Sequence, residues 1–164
     1  MANIVPIAIT ILQSKGRYLF IKRRNPPYEN LWSMVGGKVD TGEHIKKAAV
    51  REIKEETGAP SVNNFELCGL VSERLVNGEG ILTAHFLIFV GRGEIDDYKE
   101  NHREGDLALF TLDEIQSRRP EFLPSDLCMF ENFRGSRAIS GIHEAELVYD
   151  DGYYTLSYYR ESSP

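Results

Sequence analysis

Apolar and polar positions change rhythm several times along this chain, and each rhythm predicts an element. Ile4 to Leu12 is a near-continuous apolar run, the pattern of a strand buried on both faces. Ser14-Lys15-Gly16 turns it into a second strand, Tyr18 to Lys22. The loop Asn25-Pro26-Pro27-Tyr28 leads to a short strand through Leu31-Trp32-Ser33-Met34-Val35. The period then becomes helical, starting near Glu43, with Thr41 or Asp40 placed to cap the first turn and Gly58-Ala59-Pro60 placed to stop it. Phe65 to Leu75 and Ile81 to Val90 read as strands joined around Asn77-Gly78. Leu107 to Phe110 is a short strand followed by a capped helical turn from Thr111, and Leu127 to Phe133 reads as a second helix. Asp150-Asp151-Gly152 joins the last two alternating segments into a hairpin over about 145–160. Strands on both sides of a central helix, with another helix late, predict an α/β (α+β) fold with a mixed sheet between helices. With no repeats or linkers, residues 1–164 form one domain.

The central helix carries the chemistry. At 3.6 residues per turn, Glu52, Glu55 and Glu56 fall within about 140° of arc. Three carboxylates on one face repel unless something neutralises them. One reading is a solvated stripe offset by Lys46, Lys47 and Lys54. The preceding Gly36-Gly37 points elsewhere, because backbone can approach closely there and expose a carbonyl beside the helix. Carboxylates with a carbonyl are hard oxygen ligands, suited to Mg2+ or Mn2+ rather than zinc. Val50 and Ile53 supply a flank to pack inward, and the small Ala48 and Ala49 leave space for ions.

Composition narrows the function classes. Hydrophobic residues at 41% and charged residues at 27% describe a globular chain of one-domain length. No apolar run approaches the roughly 18 residues of a membrane span, and the start lacks the marks of a secretory signal. Cys68 and Cys128 have no zinc or redox spacing, which places free thiols in a reducing cytoplasm. A net charge of -6 argues against a protein that coats polymeric nucleic acid. It is compatible with a small phosphorylated substrate, since divalent ions reverse the local sign. The four histidines are scattered and show no ligand pairing.

Residues 37–59, GKVDTGEHIKKAAVREIKEETGA, resemble the Nudix box, G-x5-E-x7-R-E-U-x-E-E-x-G-U, with Ala59 replacing the final aliphatic residue. The resemblance implies an α/β/α sandwich with a mixed β-sheet and metal-dependent hydrolysis of a nucleoside diphosphate derivative by attack of water on phosphorus. It implies Glu52, Glu55 and Glu56 as metal ligands, the Gly37 carbonyl as a further one, and Mg2+ or Mn2+ as the ion. Arg51 and Glu43 then act as orienters, with Arg51 holding a carboxylate in its ligating rotamer. The base is either a box glutamate or a loop acid, here Glu104, with Glu100 and Asp106 as neighbours able to substitute. Glu104 is also a candidate ligand.

Length, the RRN loop, the LPSD segment and the tyrosine-rich terminal hairpin resemble MutT-like oxidised-purine nucleoside triphosphatases, which yield a monophosphate and pyrophosphate. Where the animal branch carries Trp-Pro-Asp-Asp, this chain has Leu123, Pro124, Ser125 and Asp126, and Ser33 stands where a base-reading asparagine is found. Asp126 is a candidate base reader or the N-cap of the second helix. Arg23 and Arg24 are candidate phosphate clamps or an exposed basic strand end. Trp32 and Tyr28 can stack on a base, with the core the favoured place for Trp32. The alternatives are an ADP-ribose or nucleotide-sugar pyrophosphatase and, in another class, a nucleotide sensor without turnover. The expected partner is a small nucleotide, with no polymeric nucleic acid and no membrane, and the chain a monomer or homodimer.

Overall fold

A computed structural model describes residues 3–99, 105–135 and 141–162. Among these residues, eight strands form one mixed sheet: β1 (Ile4–Ser14), β2 (Arg17–Arg23), β3 (Trp32–Lys38), β4 (Asn63–Asn77), β5 (Leu82–Glu94), β6 (Gly105–Phe110), β7 (His143–Asp150) and β8 (Tyr153–Glu161). Their order is β6-β2-β3-β1-β5-β4-β7-β8. The β1–β5 and β4–β7 pairs are parallel and the others antiparallel. Helices α1 (Ile45–Thr57), α2 (Leu112–Ser117) and α3 (Pro124–Phe133) complete the fold, with a 3-10 turn at Arg119–Glu121.

β1 shows why the apolar run predicts burial on both faces. Leu12 joins Leu19, Ile21, Val35 and Ile53 in a cluster that includes α1. Ile9 and Ile11 belong to the opposite cluster, with Phe20, Trp32, Phe122, Phe130 and Phe133. Successive side chains of a strand point to opposite faces, so helices on both sides demand apolar residues at every position. The aromatic layer packs edge to face, with Phe20 and Phe122 centroids 5.0 Å apart. Trp32 is buried there, as expected.

Three local expectations are corrected. The central helix begins at Ile45 with His44 as its N-cap, and no side chain caps it, neither Asp40 nor Thr41. Glu43 instead lies before the helix, its amide donating to Asp40 O at 2.9 Å and its carboxylate accepting the Asp40 amide. Ala48 and Ala49 leave no room for ions, because they are buried against Ala8 and let α1 sit close on the sheet. α3 starts at Pro124 with Leu123 as its N-cap, so Asp126 lies inside the first turn and is not the cap. The stop at Gly58 holds: it takes the left-handed conformation, φ 68°, and its amide closes on Lys54 O. The Thr111 turn is a complete capping box with Glu114. Of the inward flank, Ile53 is fully buried, while Val50 is half-buried beside the lysines.

Candidate functional site

Two groups of acids flank the β3 glycines. On the α1 side, Glu52 lies against Gly37, where an added Cβ would meet its carboxyl carbon at 2.5 Å. Only glycine permits that approach. One turn on, Glu56 is buried and accepts the Gly36 amide at 2.9 Å. Arg51 gathers the remaining carboxylates. It grips Glu43 with two bonds of 2.8 Å, reaches Glu52 at 2.8 Å and Glu55 at 3.2 Å, and donates to Lys38 O. The guanidinium bonds, helped by the Asp40 amide, hold the Glu43 carboxyl down at about 2. The same carboxylates push Arg51 further above its ordinary value. Arg51 thus bonds Glu43, Glu52 and Glu55 together.

Among the described residues, no three His, Cys, Asp or Glu side chains already converge as a ligand set. The chemistry of the donors nonetheless fits a hard divalent ion: carboxylates from adjacent helical turns lie over a strand whose glycines admit one of them to the backbone. Glu104, and Glu100 beside it, lie outside the described residues. Asp106 is engaged by Arg24 at 2.8 Å in an exposed pair. That places Arg24 on β6's side of the strand end, whereas Arg23 lines the cleft described next.

On the α3 side of the same glycines is a cleft of about 320 Å3. Its walls are apolar, from Ile7, Ile9, Met34, Phe86, Ile88 and Leu123, and Arg23 and Lys38 also line it. Polar side chains line it as well, among them Ser33, Glu73 and Asp126. The start of α3 is stitched to β3, since Leu123 N donates to Trp32 O at 2.9 Å and Met34 N donates to Asp126 Oδ2 at 2.7 Å. Asp126 therefore completes the ladder at the β3 edge that β1 does not cover. Burial and the nearby Glu73 raise its carboxyl to about 7, against the Met34 amide and Arg23, which lower it. Tyr28 lines the cleft as well. It is buried, and its hydroxyl donates to Glu73 Oε2 at 2.8 Å.

Glu73 escaped the sequence reading. The signal was present: in Val71-Ser72-Glu73-Arg74-Leu75 it takes an inward position between two buried apolar residues. Period-two patterning assigns that position to a hydrophobic side chain. Lys38 was missed too, with no pattern to mark it.

Residues 3–133 match the NUDIX domain family. The chain belongs to that family. An ADP-ribose pyrophosphatase of Methanocaldococcus jannaschii is 38% identical over 95 residues, 55% of each chain. A putative 8-oxo-dGTP diphosphatase of Bacillus subtilis is 46% identical over 50 residues, covering 30% of this chain and 32% of the relative. An RNA pyrophosphohydrolase of Campylobacter jejuni is 27% identical over 97 residues, covering 54% and 62%. This chain thus spans less than two thirds of each of these relatives. Among solved structures, a MutT protein of Bacillus halodurans superposes with a TM-score of 0.75 at 23% identity, covering 96% of this chain and 97% of that one. That likeness establishes the α/β/α Nudix fold. Among the described residues, no helix is long and apolar enough to cross a membrane.

Proposed function

We propose that this chain is a hydrolase that splits the pyrophosphate bond of a (deoxy)nucleoside triphosphate, releasing the monophosphate and pyrophosphate. The 8-oxo-dGTP type is the leading candidate, and the cytoplasm the setting. The observation that carries the reading is the shared border at Gly36-Gly37. On one side lie Glu52 and Glu56; on the other opens an apolar cleft sized for a base. A nucleotide spanning that border would set its base in the cleft and its phosphates against the acidic helix.

Glu52, Glu55 and Glu56, with the Gly37 carbonyl and Glu104, are the proposed ligands of Mg2+ or Mn2+. Such an ion supplies Lewis-acid charge stabilisation and a more acidic water. Arg51 holds the carboxylates in position, and Arg23 and Lys38 lie where they can receive phosphate oxygens. The proton leaving the attacking water goes to a box glutamate or to Glu104. Water adds to phosphorus as the bridging P–O bond breaks, and pyrophosphate carries away the bonding pair.

ADP-ribose is the second reading, favoured by the name of the M. jannaschii relative. A panel of dNTPs, 8-oxo-dGTP, ADP-ribose, sugar nucleotides and 5′-triphosphorylated RNA, assayed for each product, tests both. Pyrophosphate from the triphosphates is the expected result. AMP and ribose 5-phosphate as the sole products would replace the first reading with the second. Tight binding without turnover would indicate a sensor.

A further inference from the structure

Glu73 is 1% exposed and lies in the middle of the sheet, level with Phe86 of β5 and Ala145 of β7. A carboxyl at such a position costs stability unless its oxygens are satisfied. The fold satisfies one. Tyr28 holds Oε2, and Tyr28 is itself fixed by a loop that closes through Asn30 N to Arg23 O at 2.8 Å and Arg23 Nε to Pro27 O at 3.1 Å. Glu73 Oε1 has no hydrogen-bond partner among the described residues, although Glu73 lines the cleft. Ser125 comes close enough to favour the ionised carboxyl, but not to hydrogen-bonding geometry, and its hydroxyl is unpartnered as well. The Ser33 hydroxyl, another cleft-lining group, is buried and unpartnered too.

Glu73 and Ser33 line one pocket with apolar walls, which suits a flat ring with a polar edge. We propose that Glu73 is a specificity-determining residue, its Oε1 hydrogen-bonding the edge of the nucleotide's base beside Asp126 while Tyr28 locks the carboxyl in place. Glu73 and Asp126 together fix an order of donor and acceptor along the cleft. Guanine and adenine present an acceptor beside a donor in opposite orders on their six-membered rings, so this floor distinguishes them. A buried group that loses its partner rejects the wrong ligand far more strongly than a misfit in an apolar pocket does. The inference rests on the cleft being the base site of the proposed reaction.

The test is calorimetric titration of dAMP, dGMP, dCMP and dTMP into wild type, Glu73→Leu, Glu73→Gln and Tyr28→Phe. None of these measurements needs turnover. Wild type should separate the best and worst base by tenfold or more, and Glu73→Leu should shrink that spread below threefold. Glu73→Gln keeps the shape but adds a permanent donor, and should change which base binds best. Tyr28→Phe frees the carboxyl and should narrow the spread in between. Mn2+ affinity, measured separately, should be unchanged in all variants. Should Glu73→Leu fail to fold, Glu73→Gln and Tyr28→Phe decide. Wild-type order and spread retained in the folded variants would overturn the proposal, as would a wild type that binds all four within threefold. A spread that exists and collapses in an enzyme inactive on every triphosphate would uphold the role of Glu73 and sink the hydrolysis reading instead.

Discussion

Glu43 beside α1 and the buried acids of the cleft are the same chemical group shifted in opposite directions. Around α1, Arg51 bonds Glu43, Glu52 and Glu55, and the Glu43 carboxyl falls to about 2. In the cleft, burial raises Glu73, and burial together with the nearby Glu73 raises Asp126 to about 7. Arg23 eases this for Asp126 without reversing it. A bonded cation favours the charged form, while desolvation favours the neutral one. The difference follows from the neighbours: a guanidinium bonded to Glu43, and exclusion of water around Glu73 and Asp126.

The largest way to break this comparison is to remove charge on the helix side. Glu56→Gln should lower turnover by about 10³-fold, the upper end of losses for a group stabilising transition-state charge. Product release under excess Mg2+ checks it, and near-normal rates would remove Glu56 from the site. Arg51→Ala should cost about 10- to 100-fold in metal affinity or activity, the range for residues that orient ligands. Arg51→Lys should recover only part, since an ammonium cannot grip Glu43 with two parallel bonds. Titration of Mn2+ into each variant reads this directly.

The cleft side is sharpened by pH. The folded chain holds a proton on Asp126 up to about 7, whereas the unfolded chain releases it near 3.8. Between those values the folded state binds more protons, so this group's contribution to stability falls as pH rises and levels off above about 7. Asp126→Asn keeps an oxygen for the Met34 amide and cannot ionise. Denaturant midpoints should show the variant gaining on wild type from pH 4 to 7; a constant gap would mean Asp126 is charged in the fold. The smallest effect belongs to Arg24→Ala, which breaks an exposed pair with Asp106 and should change stability by less than about 1 kcal/mol. A tenfold rise in KM in this variant would instead place Arg24 on the phosphates.

The helix of acids was legible because its members are neighbours in sequence. A fixed 3.6-residue period converts spacing into a face, and Gly58 marks its end by the conformation only glycine adopts readily. Its start was misread, since Asp40 and Thr41 have capping chemistry but Glu43 takes the Asp40 amide and the helix waits until Ile45. The alanines were misread for a related reason. Small size leaves room only if nothing fills it, and the sheet's own Ala8 does.

Glu73 and Asp126 are 53 positions apart, and no periodicity relates a residue of β4 to one of α3. The strand order brings them together, with Leu123 and Asp126 pinning α3 to β3 and Tyr28 reaching across from the β2–β3 loop. By itself the sequence determined the secondary elements, the acidic helical face and the family, all properties of local spacing. Tertiary structure alone decided which acids meet a guanidinium and which are desolvated, because charge state depends on neighbours in space and on exclusion of water.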